Sequence, residues 1–212
     1  MAIRVKICGI TNPTDAEEAA QLGVDMVGLN FFGPSPRCID DSAARAILQA
    51  LPAGVEPVAL FVNEPLARAQ HRANVLGIGT VQVHGEQREI LPPEMKWIPA
   101  FSVREPVDLP EIVRYVELLI AANRTPHAIL VDAHVPGLYG GTGQTAPWHL
   151  LADFKPGVPL ILAGGLTPEN VAEAIRIVQP QGVDVASGVE SAPGKKDVDK
   201  MRRFIHAVRA IG

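Results

Sequence analysis

The sequence contains little cysteine, few aromatic residues and no excess of positive charge. Its two cysteines, Cys8 and Cys38, are too few for a disulfide framework, so a reduced, cytoplasmic setting is expected. Aromatic residues make up 5% of the chain, which argues against base-stacking platforms for nucleic acid. The formal net charge of −4 argues against a nucleic-acid partner and against a strongly cationic membrane-surface protein.

Long hydrophobic runs are also missing. The apolar stretches are far shorter than the roughly 20 residues that a transmembrane helix needs, so no membrane association is expected. Residues 1–6 are charged and strand-like and lack the apolar core of a secretory signal. No group of His, Cys, Asp and Glu has metal-site spacing, so neither a metal nor a cofactor is expected. What remains is an ordinary globular composition, with 47% hydrophobic residues in a chain of 212.

Short β-branched runs alternate with longer helical stretches eight times along the chain. The predicted strands are Arg4–Cys8, Met26–Phe31, Pro57–Val62, Thr80–His84, Trp97–Phe101, Ala128–Asp132, Leu160–Ala163 and Val183–Ala186. The predicted helices are Pro13–Leu22, Asp41–Leu51, Pro65–Leu76, Glu86–Leu91, Leu109–Ala122, Ala146–Ala152, Pro168–Val178 and Asp197–Ile211. This order is typical of βαβ units, and eight of them predict an α/β fold, a single-domain (β/α)8 TIM barrel over 1–212. An open doubly wound sheet is the alternative, but its Gly-x-Gly-x-x-Gly turn is absent after the first predicted strand.

Polar residues share one face near the carboxyl ends of four predicted strands. Alternate residues of a strand point to the same side. Cys8, His84, Asp132 and Asp184 each alternate with aliphatic neighbours that suit packing on helices. In a barrel these four side chains point inward near the rim where active sites lie, with His84 and Asp184 as pocket residues. For each of them, a lone polar residue at the start of a loop is the alternative.

Two glycine-rich turns follow the last two predicted strands. Gly164 and Gly165 lie in the first turn, and Ser187 and Gly188 lie in the second. Glycines let a backbone approach a ligand closely, and helix N-termini offer N–H groups to anions. Helices beginning after Thr167 and within 189–191 are expected to supply such ends. The four residues therefore predict a phosphate site and a small phosphorylated substrate, although glycines also make ordinary tight turns.

A further glycine-rich segment follows Asp132 in the sequence. Residues 135–144 contain four glycines. Their place after the sixth predicted strand favours a lid that closes over substrate and excludes water. A long surface loop is the alternative.

Nine sequence segments form a specific set that is spread over essentially the whole chain. They are Lys6–Thr11, Ser35–Arg37, Leu60–Asn63, Val83–Glu86, Val131–Ala133, Gly140–Gly143, Leu162–Leu166, Ser187–Glu190 and Pro193–Asp197. The set resembles the phosphoribosylanthranilate isomerases, a family of tryptophan-pathway enzymes. This resemblance implies a (β/α)8 barrel that catalyses the Amadori rearrangement of an N-phosphoribosyl anthranilate to the aminodeoxyribulose phosphate. Departures from the family pattern at Ala146–Pro147, Ala186 and 29–31 concern substrate packing and leave the reaction class unchanged.

The resemblance also implies roles for three residues. It assigns the general base to Cys8, the general acid to Asp132 and contact with the anthranilate carboxylate to Arg37. Opening the ribose and moving a proton from C2′ toward C1′ requires an acid at the ring oxygen and a base at C2′. Cys8 must be a thiolate to act as the base, and a nearby cation such as Lys6 would favour that form. A guanidinium suits a planar carboxylate, although a solvated loop arginine is the alternative.

Two other functions stay open at the level of sequence. Lys6 shares the inward face of Cys8, so a lyase or aldolase with a Schiff-base lysine is one of them. For that residue, an ion-paired lysine inside the barrel is the alternative and the favoured interpretation. A non-catalytic sensor of a phosphorylated ligand is the other function, against which Cys8 and Asp132 at strand ends argue. A related barrel of the histidine pathway would usually carry Asp at position 8. A monomer and a homodimer are both compatible with the sequence.

Overall fold

The computed structural model describes residues 2–85, 95–103, 105–133 and 148–211. Eight parallel strands form a closed barrel in which each strand pairs with the next and the eighth pairs with the first. They are β1 Arg4–Cys8, β2 Met26–Asn30, β3 Glu56–Val62, β4 Thr80–His84, β5 Lys96–Ser102, β6 Ile129–Asp132, β7 Leu160–Ala163 and β8 Gly182–Val185. The predicted α/β barrel is confirmed, and most predicted strands shift by one residue or less at each end.

Six α-helices lie among the described residues and surround the barrel. They are α1 Pro13–Gln21, α2 Asp41–Ala50, α3 Leu66–Leu76, α4 Asp108–Ala121, α5 Val171–Val178 and α6 Val198–Arg209. Short 3₁₀ turns cover Trp148–Leu151 and Ser187–Val189, and β9 Glu190–Ala192 pairs antiparallel with β10 Lys195–Lys196. The predicted helix at 86–91, the predicted lid at 135–144 and the departures at Ala146 and Pro147 fall outside the described residues. None of the helices in the described part of the chain has the length and apolar character to cross a bilayer.

Polar side chains decide where several helices begin. The side chain of Asn12 accepts from the amide of Asp15 at 2.9 Å, and Pro13 occupies the first helical position of α1. Asp197 accepts from Lys200 N at 3.0 Å at the start of α6. Each of these side chains satisfies an amide that has no partner within its own helix.

Two predicted helix boundaries near the last strands are shifted. The sequence predicts a helix from Pro168 with Thr167 as its cap, and Thr167 does act as a cap: its carbonyl accepts from Val171 N at 3.1 Å and its hydroxyl accepts from Glu169 N at 3.2 Å. Asn170 accepts from Thr167 N at 2.7 Å and donates to Gly165 O at 2.9 Å within this turn, and α5 itself begins at Val171. The short helix expected around 189–191 is the 3₁₀ turn over Ser187–Val189, because the chain enters the β9–β10 hairpin at Glu190.

The barrel has an apolar interior with polar layers at each end. Alternate strand residues point inward, and those forming the interior cluster are Met26, Val58, Ile98, Ala100, Ala128, Leu130, Ile161 and Ala163. The other residues of each strand pack against the helices in a larger cluster. At the amino-terminal end, Glu56 accepts from Arg4 at 2.7 Å and pairs with Lys96 at 3.5 Å.

Truncating an interior leucine should destabilise the barrel far more than truncating a surface leucine. Leu130 is 1% exposed, whereas Leu118 on α4 is 62% exposed. We expect Leu130→Ala to lower the free energy of unfolding by about 2–5 kcal/mol, because a cavity remains in a closed interior. Leu118→Ala should change it by less than about 0.5 kcal/mol. Urea unfolding of both variants checks this, and equal losses would contradict the assignment of the interior face.

Candidate active site at the carboxyl end of the barrel

The predicted inward residues lie at the expected end of the barrel. Cys8, His84 and Asp132 are the last residues of β1, β4 and β6. By alternation, Asp132 shares the inward face of the apolar residue Leu130, whereas Cys8 and His84 share the faces of the buried polar residues Lys6 and Gln82. Asp184 lies one layer deeper, because it pairs in register with Lys6 where β8 meets β1.

Lys6 and Asp184 form a buried ion pair. Lys6 Nζ lies 3.0 Å from Asp184 Oδ1, and the lysine side chain is 0% exposed. Burial lowers the pKa of Lys6, but the Asp184 carboxylate and the Cys8 sulfur together raise it by more, so the pKa is above its usual value. Lys6 is therefore an ammonium ion with no lone pair for attack on a carbonyl. The ion-paired interpretation of Lys6 fits this geometry, and the Schiff-base alternative does not.

The Cys8 thiol is buried beside Lys6, in a space that only glycine leaves open on β2. A Cβ on Gly28 would lie 2.7 Å from Cys8 Sγ and 3.1 Å from Lys6 Nζ. Burial raises the pKa of the thiol, and Lys6 and Lys196 lower it by less, so the pKa is above its usual value. Lys6 lowers the pKa of Cys8, as expected, but burial of the sulfur away from water raises the pKa by more.

His84 is a neutral pocket residue in this arrangement. The side-chain amide of Gln82 lies 2.7 Å from His84 Nε2 and forms a hydrogen bond with it, whose direction follows the tautomer of the ring. Burial and then Lys6 lower the pKa of His84, and the carboxylates of Asp184 and Asp132 oppose this by less. His84 thus faces the same interior space as Lys6, Asp184 and Asp132.

Arg37 lies in the loop after β2, and its side chain crosses the backbone of Gly9. A Cβ on Gly9, whose φ is +73°, would lie 2.5 Å from Arg37 Cδ, so the stem requires glycine there. Arg37 Nε donates to Glu190 Oε1 at 2.7 Å, and Nη2 donates to Oε2 at 2.6 Å. These hydrogen bonds to Glu190 raise the pKa of Arg37.

Lys196 joins Glu190 to the strand that carries the thiol. Its ammonium group is 0% exposed and donates to Cys8 O at 2.7 Å, Glu190 Oε1 at 2.9 Å and Ala186 O at 3.1 Å. Burial raises the pKa of Glu190, but its hydrogen bonds to Arg37 and Lys196 together lower the pKa by more. Glu190 therefore remains a carboxylate. Glu190 and Lys196 lie in two of the segments that carry the family resemblance, Ser187–Glu190 and Pro193–Asp197, but the sequence assigned neither residue a role. The turn at Pro193–Gly194 predicts a hairpin that brings the flanking strands together.

The two glycine-rich turns contact each other, as their joint prediction requires. A Cβ on Gly188 would lie 1.9 Å from Leu166 O, so the turn after β8 packs directly on the turn after β7. Gly164 and Gly165 have φ of +94° and +63°. The amides of Gly165 and Leu166 donate to no acceptor among the described residues. Leu166 is 2% exposed, whereas Gly165 and Ser187 are exposed, so the four predicted residues lie on adjoining turns where Gly165 presents an N–H donor at the surface.

No group of three or more His, Cys, Asp or Glu side chains in the described ranges is arranged to hold a metal ion.

Comparisons with known proteins agree with this architecture. A family model described as N-(5'phosphoribosyl)anthranilate (PRA) isomerase matches residues 5–207. The N-(5'-phosphoribosyl)anthranilate isomerase of Geobacter metallireducens is 43% identical over 214 residues, which cover 98% of this chain and 100% of the relative. The crystal structure of phosphoribosyl anthranilate isomerase from Thermotoga maritima has a TM-score of 0.84 and 39% identity, and covers 98% of this chain and 99% of its own. A structure of such an isomerase in complex with reduced 1-(o-carboxyphenylamino)-1-deoxyribulose 5-phosphate has a TM-score of 0.81 and 36% identity, with coverage of 98% and 99%. The resemblance is confirmed, and the chain belongs to the N-(5'-phosphoribosyl)anthranilate isomerase family.

Proposed function

We propose that Cys8 and Asp132 carry out the family's reaction in this chain, the Amadori rearrangement of N-(5-phosphoribosyl)anthranilate in tryptophan biosynthesis. The observation that carries the proposal is the full-length family match on a barrel whose β1 and β6 end in these two residues. Three steps around the ring of strands separate β6 from β1 on its shorter side. A sugar phosphate in the mouth therefore has the acid on one wall and the base on another.

The reaction needs one proton delivered and one removed. Asp132 protonates the ribose ring oxygen, the C1′–O bond breaks, and the nitrogen lone pair forms a C1′=N bond. The Cys8 thiolate then removes the proton from C2′, the electrons of the C–H bond form the C1′–C2′ double bond of an enolamine, and the π electrons of the C1′=N bond return to nitrogen. Tautomerisation of the enolamine yields the 2′-ketone and the C1′ amine.

Binding groups on both sides of the reacting carbons support this orientation. The open amides near Gly164 and Gly165, with Ser187 and Gly188, suit the 5′-phosphate because backbone N–H groups bind anions without a side chain. Arg37 suits the ring carboxylate, and its guanidinium lies close enough to Cys8 for the sulfur to influence its pKa. The ligand in the relative's complex carries both a phosphate and a ring carboxylate. The proposed partner is thus one small phosphorylated substrate, without a metal or cofactor.

The surroundings of Cys8 lower the fraction of the thiol that is ionised, but they make each thiolate a stronger base. A thiol whose pKa is raised is mostly protonated near neutral pH, but each thiolate that forms is a stronger base. The rate should therefore rise with pH on the limb that belongs to Cys8. Both cysteines are free, in keeping with the cytoplasmic location that we propose.

Replacing either catalytic group should lower kcat sharply. We expect Cys8→Ser and Asp132→Asn each to lose about 10²–10⁴-fold in kcat, because each removes one proton transfer and leaves the binding groups in place. The alkaline rise of kcat/KM should disappear in Cys8→Ser. The assay follows loss of anthranilate-type fluorescence from freshly made phosphoribosyl anthranilate.

Matched substitutions elsewhere control for the chemical change itself. Cys38 and Asp153 are exposed, so Cys38→Ser and Asp153→Asn should retain wild-type turnover. A folded Cys8→Ser or Asp132→Asn enzyme with wild-type kcat would overturn the proposed mechanism. An inactive Lys6→Met enzyme beside a normal Cys8→Ser enzyme would instead point to Schiff-base chemistry.

Removing the Lys6 charge should make the thiol less reactive. The Lys6 ammonium stabilises the thiolate, so Lys6→Met should raise the thiol pKa and slow alkylation of Cys8 at pH 8. Asp184 acts in the opposite direction, so Lys6→Met/Asp184→Asn should react at a rate between those of Lys6→Met and the wild type. Mass spectrometry of iodoacetamide-treated protein measures this, with Cys38 of the same molecule as the internal control. Faster alkylation of Cys8 in Lys6→Met would contradict the proposed electrostatics.

A negative charge at position 187 should repel the phosphate. Ser187 tests this more cleanly than Gly165 or Gly188, because a side chain at either glycine would disturb the turn itself. We expect Ser187→Asp to raise KM by more than about 10-fold, whereas Ser187→Ala changes it by less than about 5-fold because amides make the main contacts. Inorganic phosphate should compete with substrate in the wild type and lose that effect in Ser187→Asp. Thr125→Asp, in an exposed loop after α4, should behave as wild type. An unchanged KM in Ser187→Asp would show that the substrate phosphate does not bind at these turns.

A further inference from the structure

We propose that Glu190, charge-balanced by Lys196, is a positioning residue that orients Arg37 toward the aryl carboxylate of the substrate and so determines specificity for carboxylate-bearing ligands. The inference rests on the proposed function, because it assumes that Arg37 contacts that carboxylate. It assigns no contact between Glu190 and the substrate. Glu190 acts only through the guanidinium that it holds.

The two hydrogen bonds between these residues occupy one edge of the guanidinium. Arg37 donates through Nε and Nη2 to the two oxygens of Glu190, at 2.7 and 2.6 Å. A guanidinium has five N–H donors in one plane. The edge formed by Nη1 and Nη2 therefore keeps its hydrogens, which meet no acceptor among the described residues. Because the side chain is 22% exposed, that edge is available to a second carboxylate in the same plane.

Glu190 is itself rigidly held, which a positioning residue requires. Its side chain is 5% exposed and its backbone carbonyl accepts from Lys200 Nζ at 2.7 Å. The facing strand is tied to α1, where Asp15 accepts from Lys196 N at 2.9 Å. The guanidinium consequently starts from one orientation, and less conformational entropy is lost when a ligand binds.

An explanation by net charge and an explanation by the orientation of Arg37 predict opposite effects of replacing Glu190. Arg37 and Lys196 carry two positive charges and Glu190 one negative charge, so the cluster has a net charge of +1. Glu190→Gln would raise this to +2, and simple attraction would then strengthen the binding of an anion. If Glu190 acts by orienting Arg37, the same substitution weakens recognition of the carboxylate. The sign of the change therefore separates the two explanations.

The test compares two ligands that differ only in the ring carboxylate. One is reduced 1-(o-carboxyphenylamino)-1-deoxyribulose 5-phosphate, and the other is the same molecule without the carboxyl group. Calorimetry gives both dissociation constants for the wild type, Arg37→Ala, Glu190→Gln and the double variant. We expect Glu190→Gln to weaken binding of the carboxylate ligand by about 10-fold and to change binding of the other ligand by less than about 2-fold. In the Arg37→Ala background, Glu190→Gln should cause no further loss.

Glu56→Gln is the matched control, because it removes a carboxylate that binds an arginine at the opposite end of the barrel. It should leave both dissociation constants unchanged. If Glu190→Gln fails to fold, Glu190→Asp retains the charge but shortens the side chain, and the same loss confined to the carboxylate ligand is expected.

The remaining outcomes each overturn one proposal. Equal weakening of both ligands by the Glu190 variants, or stronger binding of the carboxylate ligand, would overturn the positioning role. If Arg37→Ala itself fails to distinguish the two ligands, the proposed contact between Arg37 and the carboxylate is wrong. Selective weakening by Arg37→Ala without any effect of Glu190→Gln would leave that contact in place and reject Glu190 as its orienting partner.

Discussion

The barrel closes where β8 pairs with β1, and the rest of the mouth is built on the buried ion pair at that seam. Lys6 and Asp184 are register partners on the closing strands, with their charged atoms 3.0 Å apart. A buried pair gains little net stability over apolar packing, because both charges lose their hydration. The effect of this pair is local, because it holds the Lys6 ammonium group beside the Cys8 sulfur, in a space that Gly28 leaves open.

The ammonium group of Lys196 is a second buried cation at the junction of β1 and β8, on the solvent side of Lys6. Lys196 binds the carbonyls of Cys8 and Ala186 at the tops of β1 and β8, and it also binds Glu190. Through Glu190 the same anchor reaches Arg37. The proposed base and the proposed carboxylate contact are thus joined through one network of hydrogen bonds. Holding reacting groups in fixed geometry is a large part of what enzymes contribute to rate.

In the proposed orientation, the phosphate end of the substrate meets backbone instead of side chains. The turns after β7 and β8 pack so closely at Gly188 that a methyl group would overlap Leu166 O. The local cap signal at Thr167 agrees with this packing. Thr167 accepts from Val171 N and Glu169 N, as a capping residue does, and Asn170 ties the same turn back to Gly165 O at 2.9 Å.

The sequence by itself determined the order of strands, the residues that face inward and the family. These depend on alternation, spacing and motifs that are local, so Cys8 and Asp132 were identifiable as inward residues at strand ends. Arg37 was identifiable from the resemblance, but its partner was not, because Glu190 is 153 positions away in the chain. Lys196 binds a carbonyl 188 positions away, and Gly28 is required only because β2 lies beside the thiol. The direction of the Cys8 pKa was likewise decided by burial, which no neighbouring residue in the sequence reveals. Only the closed barrel brings these groups within reach of one another, and the energies of charges and hydrogen bonds depend on that separation and on the water excluded around it.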